Sequence, residues 1–437
     1  ADEHDVKLIP AVEAYLADDA SQRGLTKAEK DEIKAAHADP DEGRVAVKQA
    51  ERLRRERDHI TVWATSDVGL ANLYKLNAYA WTKGFYYKPR IDLDVLAAHS
   101  EGIAVSSGCP GGVVTSPLRA DDLSTAFGRA TRLAEIFGER FMFEIMPHIP
   151  DPDCVGLAEK LVRLADYFGA TMIATQDAHY PGASDADVQD ALLCIQTRSK
   201  IGDPDRFAFD ARDYWLKDRR AMLRAFREKI PGLPSSRVER ALDATVAFAE
   251  RCTAKVQRAK PGAYLAAPEL PEGFRTYDAY LMHLAVTGAA GRRIDLSRAP
   301  DYRARLIHEL RVVQDLGFAA YFVMVWEVQR WARSVGILCG PGRGSAAGSL
   351  VAFLLRITDV DPIEHGLLFE RFLAPGRLDL PDIDLDFEHR RRDQIIEHLR
   401  DLYGEAHVAS ISTAITLGGR GTLRDLGRIF EVPYEDI

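Results

Sequence analysis

The stretch LPDIDLDFEHRRRD, Leu380 to Asp393, places aspartates at every second position, Asp382, Asp384 and Asp386, with apolar residues between them. Successive side chains of a β-strand point to opposite faces, so the alternation predicts a strand whose carboxylates share one face. Like charges at that spacing repel one another unless a cation lies among them, and Mg²⁺ prefers oxygen ligands. An edge strand with a solvated acidic face would show the same pattern, and the spacing alone leaves both interpretations open.

A glycine-rich loop, GPGRGSAAGS, covers Gly340 to Ser349 and runs into an apolar helical pattern. Glycine lets the backbone approach a ligand closely, and backbone N–H groups at the start of a helix bind phosphate. Arg343 would add a charged donor. The loop matches neither a Walker A sequence nor a dinucleotide-binding fingerprint, and a flexible turn is the alternative. A phosphate-binding loop beside a metal-binding aspartate strand nevertheless indicates nucleotidyl transfer.

Residues 60–258 alternate between short apolar runs and helical patterns, which predicts β–α units around a parallel or barrel-like sheet. Catalytic side chains in such folds cluster where the strands end. The residues of metal-binding type at the ends of these predicted strands are Glu13, His59, Cys109, Asp177 and His179. Together they could converge on a metal ion, although each taken alone is more typical of a structural residue.

The bulk composition is that of a globular protein, with 437 residues, 46% hydrophobic and 28% charged. This length predicts two to four domains. No apolar run approaches the ~20 residues of a membrane span, and no signal peptide is evident, so we expect a cytoplasmic location and no membrane partner. The five cysteines are widely scattered, so we expect neither a disulfide framework nor a structural zinc knuckle.

The net charge of −9 argues against a uniformly basic nucleic-acid-binding surface, but local basic clusters remain candidates for phosphate binding. Three such clusters are RLRRERDH (52–59), RAPDYRAR (298–305) and HRRRD (389–393). The charged, alanine-rich composition of residues 16–58 predicts exposed helices or a partly ordered insertion. Near the end of the chain Arg420, Arg424 and Arg428 share one helix face, which either meets DNA phosphates or is solvated.

The segment from GFAAYFVMVW to PDIDLDF, residues 317–387, closely resembles the catalytic core of the C family of bacterial DNA polymerases, the DNA polymerase III alpha subunits. The phrases GFYYKPRIDLDVLAAHSEGIAVSSGCPGG, ATQDAHY, DALLCIQT and YWLK resemble the PHP (polymerase and histidinol phosphatase) domain of that family. The resemblance covers nearly all of the chain except about residues 16–58. It implies an α/β fold with a PHP-type distorted (β/α) barrel at 1–258 and a linker at 259–274. The first part of a polymerase-beta-like nucleotidyltransferase palm follows at 275–410, and a helical thumb begins at 411–437.

The resemblance also assigns site residues. It implies that Gly344 and Ser345, with Arg343, bind the incoming triphosphate, and that Asp382 and Asp384 hold two Mg²⁺ ions. Asp386 is a reserve candidate for the same face. The third catalytic aspartate and the fingers of the family would lie beyond this chain, so we expect the chain alone to be inactive.

In the PHP domain the resemblance implies a Zn²⁺ or Mn²⁺ site and, in some family members, a 3′–5′ exonuclease that proofreads. The implied ligands are Glu13, His59, Cys109, Asp177 and His179. The first ligands of the family, an HxH pair and a later Asp and His, would precede Glu13. We therefore expect a truncated N-terminus and an incomplete metal cluster in this chain.

The implied function is that of a DNA-directed DNA polymerase, a nucleotidyltransferase of DNA replication. Its partners would be primer–template DNA, dNTPs, and a sliding clamp and other replisome subunits bound through regions absent here. The stretch LGGRGTLRD is closer to the translesion branch and the PHP phrases to the replicative branch, and phage members mix both features. A metal-dependent phosphoesterase with a DNA-binding appendage and a non-catalytic scaffold are the other function classes.

Overall fold

The computed structural model describes residues 6–37, 39–147, 154–209, 211–257, 266–374, 381–410, 413 and 416–436. The chain forms two compact units. Unit 1 comprises Ala1–Val256 and Thr416–Ile437, and unit 2 comprises Gln257–Ile415.

Unit 1 is built on one mixed sheet of six strands in the order β3-β1-β2-β4-β5-β6. The strands are β1 (Ala11–Leu16), β2 (Asp58–Ala64), β3 (Arg90–Ile91), β4 (Ile103–Ser106), β5 (Phe141–Ile145) and β6 (Thr171–Ala174). Strand β2 is antiparallel to both β1 and β4, whereas β4, β5 and β6 are parallel. Every residue of β4 and β5 is buried, as expected of central strands covered on both faces.

Unit 1 also contains helices, several of which begin at residues that suit helix N-termini. They are α1 (Lys27–Ala35), α2 (Pro40–Leu53), α3 (Asp67–Thr82), α4 (Leu93–Ala98), α5 (Thr115–Arg119), α6 (Leu123–Phe137), α7 (Cys154–Phe168), α8 (Ala186–Thr197), α9 (Arg219–Lys229) and α10 (Ser235–Arg251). Ser66, Asp92 and Asp122 each accept a backbone N–H of the first turn of α3, α4 and α6. Such caps satisfy donors that have no partner inside the helix.

Unit 2 is helical in its described part. Its helices are α11 (Tyr277–Gly291), α12 (Pro300–Asp315), α13 (Ala319–Ser334), α14 (Leu350–Leu354) and α15 (Arg392–Tyr403). The side chains of Leu281, Phe322 and Phe369 are fully or almost fully buried in its core. Helices α11 and α14 pack so closely that a Cβ at Gly288 would lie 2.2 Å from the carbonyl oxygen of Leu354.

The last helix, α16 (Gly419–Ile429), belongs to unit 1. Ile429 is fully buried against Ala191 and Cys194 of α8. The opposite face is polar, and the three arginines predicted to share a face, Arg420, Arg424 and Arg428, are all exposed. The start of a thumb at 411–437 stays a prediction.

The α/β class is confirmed, and so are helices in the 16–58 segment and the helical pattern of 276–335. In the part of the chain that the structure describes, the sheet of unit 1 is open at β3 and β6 and does not close into a barrel. Seven of the sixteen residues of the predicted linker, 259–265, lie outside the described residues. None of the helices described is both long and apolar enough to cross a bilayer.

Candidate functional site

The aspartate run keeps the predicted alternation of exposure. Asp382, Asp384 and Asp386 are exposed, whereas Ile383 and Leu385 pack against the core of unit 2. The carboxylates therefore lie on the solvent side of an extended segment that its apolar residues hold down. This is the arrangement that a cation site requires, although a solvated acidic face meets the same description.

The expectation that this run forms a β-strand is wrong for its first residues. In the part of the chain that the structure describes, residues 381–386 pair with no strand, and an isolated bridge joins Cys339 and Phe387. A β-ladder needs a neighbouring backbone in register. The glycine loop offers one only near the end of the aspartate run, where the Gly340 N–H donates to the backbone carbonyl oxygen of Asp386 at 2.9 Å.

The glycine loop lies directly against the aspartate run. A Cβ at Gly340 would be 2.8 Å from the Cβ of Asp386, and a Cβ at Gly344 would be 3.9 Å from Oδ2 of Asp384. Nη1 of Arg343 is 3.4 Å from Oδ1 of Asp386. Two motifs forty residues apart in sequence, the loop at 340–349 and the run at 381–387, thus form one local site in unit 2.

The predicted nucleotide-binding residues are accessible. Gly344 and Ser345 open a 3-10 turn, Gly344–Gly348, and both are exposed together with Arg343. Gly344 has φ +57° and Gly342 has φ +112°, conformations in which a residue with a Cβ is strained. Among the described residues Arg343 pairs with Asp386 but no cation pairs with Asp382 or Asp384.

Unit 1 holds a second cluster, made of Glu13, His59 and Cys109. Nδ1 of His59 lies 2.7 Å from Oε1 of Glu13 and 3.3 Å from Sγ of Cys109, and Sγ lies 3.8 Å from the same Oε1. Across the described residues, this is the one group of three or more His, Cys, Asp or Glu side chains whose ligand atoms all lie within 4.8 Å of one another.

Sheet pairing and a tight loop position these three side chains. Strands β1 and β2 pair with Glu13 opposite Thr61 and Tyr15 opposite His59, so Glu13 and His59 are diagonal neighbours on one face. Glu13 lies within β1 rather than at its predicted end. The loop after β4 is fastened to His59, whose N–H donates to Gly111 and whose carbonyl accepts from Val113, each at 2.8 Å.

The charges of this cluster favour an ion pair. Hydrogen bonds to Cys109 and then to Glu13 raise the pKa of His59 to about 10. The hydrogen bond from His59 lowers the pKa of Glu13. In the metal-free site the imidazole is therefore protonated at neutral pH. A carboxylate oxygen, an imidazole nitrogen and a thiol sulfur form a donor set that suits Zn²⁺ better than Mg²⁺.

Asp177 and His179, the other two predicted ligands, follow β6 and lie beside this cluster without joining it. Oδ1 of Asp177 is 3.9 Å from Nδ1 of His179. Burial raises the pKa of Asp177, and the charges of His179, Glu13 and His59 also act on it. The five predicted ligands thus share one electrostatic environment, although only three come within coordinating distance of one another.

Two residues near these sites were not anticipated. Glu144 in β5 is almost fully buried, accepts hydrogen bonds from the hydroxyls of Ser106 and Thr175, and has its pKa raised by burial. A glutamate inside the otherwise apolar run FMFEI was the signal for it. Tyr321 is the second, and burial and the charges of the aspartate run raise its pKa. No local pattern distinguishes it from the other aromatic residues of α13.

Comparison with known proteins gives two family matches. The PHP domain model matches residues 1–148, and the model described as bacterial DNA polymerase III alpha NTPase domain matches residues 279–437. The curated relatives include proteins named DNA polymerase III subunit alpha. That of Borreliella burgdorferi is 36% identical over 89% of this chain and 33% of its own length. That of Mycobacterium tuberculosis is 37% identical over 85% and 31%, and that of Thermus aquaticus 33% identical over 86% and 35%. The chain spans about a third of the length of these relatives.

Proposed function

Because the chain belongs to the family of bacterial DNA polymerase III alpha subunits, we propose that it serves template-directed DNA synthesis. The reaction would add dNTPs to a primer 3′-OH with loss of pyrophosphate. The substrates would be primer–template DNA and dNTPs. The observation that carries the proposal is the contact between the glycine loop and the aspartate run, with Gly344 beside Asp384.

We assign the loop to the triphosphate. Gly344 and Ser345 are exposed at a turn whose backbone can approach phosphate oxygens, and Arg343 adds a positive charge at its edge. Asp382 and Asp384 would hold Mg²⁺, which when bound supplies charge stabilisation for attacking and leaving oxygens. Asp386 is the weaker candidate because its Oδ1 lies 3.4 Å from Nη1 of Arg343, which competes with a cation for that carboxylate.

Asp384→Asn in the full-length protein tests this assignment. The substitution keeps the size of the side chain and removes its charge, so we expect dNTP incorporation to fall at least about 10³-fold. Asp315→Asn, which changes an exposed carboxylate on α12, is the matched control and should retain full activity. Incorporation by Asp384→Asn at the level of the control would contradict the assignment.

A second activity, metal-dependent phosphoester hydrolysis in the PHP domain, is favoured by the cluster of Glu13, His59 and Cys109. We propose that these residues, with Asp177 and His179, hold Zn²⁺ or Mn²⁺ for 3′–5′ removal of nucleotides. Asp177→Asn should abolish Mn²⁺- or Zn²⁺-dependent degradation of a labelled primer and leave synthesis unchanged. Degradation that persists in this variant would remove the support for the proposal.

The remaining assignments follow from the polymerase proposal. We propose the PHP domain at 1–258, the palm at 275–410 and the beginning of a thumb at 411–437. A sliding clamp and other replisome subunits would be its protein partners, and the cytoplasm its location, because DNA is replicated there in bacteria. A translesion role within the same family is the alternative, favoured by the glycines of LGGRGTLRD.

A further inference from the structure

Glu309 is a buried carboxylate of unit 2 with no part in the proposed chemistry. It lies on α12 and its side chain is 0% exposed. Its Oε1 accepts hydrogen bonds from Nε of Arg305 at 2.6 Å and from the N–H of Leu350 at 2.9 Å. Its Oε2 accepts from Oγ of Ser349 at 2.9 Å and from the N–H of Val351 at 3.0 Å. Burying a charge is costly unless hydrogen bonds replace water, and both oxygens here are fully used.

The residues that Glu309 holds follow the glycine loop directly. They begin at Ser349, immediately after the turn Gly344–Gly348, and open α14. Arg305 holds the same end of the loop, since its Nη2 donates to the carbonyl oxygen of Gly348 at 2.8 Å. This arginine ends the basic run 298–305, a candidate phosphate-binding cluster by sequence, but its side chain turns inward and is 19% exposed.

The other end of the loop is fixed by different contacts. The Gly340 N–H donates to the backbone carbonyl oxygen of Asp386 at 2.9 Å, and the Asp359 N–H donates to the backbone carbonyl oxygen of Pro341 at 2.7 Å. Between these ends, residues 344–345 remain exposed. A loop held at both ends keeps its N–H groups oriented before a ligand arrives, so less entropy is lost on binding.

We propose that Glu309 and Arg305 are positioning residues for nucleotide binding. They hold the glycine loop in the conformation that receives the triphosphate, and they touch neither the dNTP nor a metal ion. The inference rests on the proposed assignment of Gly344 and Ser345 to the triphosphate. It differs from a purely structural role, because a positioning role weakens dNTP binding selectively and a structural role weakens folding and DNA binding as well.

Glu309→Gln in the full-length protein is the test. The amide keeps the size of the side chain but turns one acceptor oxygen into a donor that faces other donors. We expect the KM for dNTP to rise about tenfold, while the KM for primer–template changes by less than about twofold. Asp315→Asn on the same helix is the control and should change neither value.

Two results would overturn the inference: a KM for dNTP within about twofold of the unsubstituted protein, or an equal rise in both KM values. If Glu309→Gln does not fold, Ser349→Ala takes its place, because it removes a single donor to the carboxylate. There we expect a selective rise of about threefold in the KM for dNTP, and an unchanged value overturns the inference. A full-length protein that incorporates no dNTP at all would instead refute the proposed function, and the inference would fall with it.

Discussion

Gly340 allows the glycine loop to lie against the aspartate run, and Gly340→Ala is expected to disrupt nucleotide incorporation. The added Cβ would be 2.8 Å from the Cβ of Asp386, whereas two non-bonded carbon atoms prefer about 3.5–4.0 Å. The Cβ of Asp386 is fixed to the backbone and cannot swing aside. The loop and the run must therefore separate by about 1 Å.

A displacement of that size is enough to affect catalysis strongly. Misplacing a catalytic group by about 1 Å can lower the rate about 10²-fold, which corresponds to about 2.7 kcal/mol of transition-state stabilisation. The backbone of Gly340 does not lie in the positive-φ region, so alanine adds no backbone strain of its own. The predicted loss comes from the moved carboxylates.

The assay is single-nucleotide incorporation by the full-length protein, with kcat/KM measured for dNTP. Gly291→Ala is the matched control, because an added Cβ there meets nothing within 4 Å. Thermal denaturation of both variants separates a local displacement from unfolding. If folded Gly340→Ala protein retains kcat/KM within about threefold of the control, the loop does not position the aspartate run.

Four further predictions concern the metal cluster and the packing. Cys109→Ser exchanges a soft ligand for a hard one and should lower Zn²⁺ affinity at least about tenfold in a chelator competition; equal affinity would show that Cys109 is not a ligand. Because hydrogen bonds raise the pKa of His59 to about 10, its proton must leave before metal binds, so Zn²⁺ affinity should rise at least about tenfold per pH unit between about pH 6 and 8. Without metal the sign is reversed: the stabilisation from protonated His59 is complete below about pH 6.5 and is lost as the pH rises through about 10, which urea denaturation at several pH values would reveal. Gly288→Ala should destabilise the protein by about 1–3 kcal/mol or more, because its Cβ would lie 2.2 Å from a backbone oxygen; a urea midpoint equal to that of Gly291→Ala would refute the close packing of α11 on α14.

Local features were predictable because they depend on neighbouring residues. The period of two in PDIDLDF anticipated which side chains are exposed, and short apolar runs anticipated β4, β5 and β6. The types of residue in the site also follow from sequence: oxygen ligands and glycines in one part of the chain, and histidine, cysteine and carboxylates in the other.

The sequence by itself therefore predicted several of the helices, most of the strands and the chemical types of the candidate ligands. Only the tertiary structure decided which of them meet. Cys109 reaches Glu13 across 96 residues, and Glu309 reaches Ser349 across 40. It also decided that residues 381–386 join no β-ladder within the described residues and that Glu144 is buried. The physical reason is that exposure along one element follows from its own periodicity, whereas contacts between distant segments depend on sheet register and packing, which no local pattern specifies.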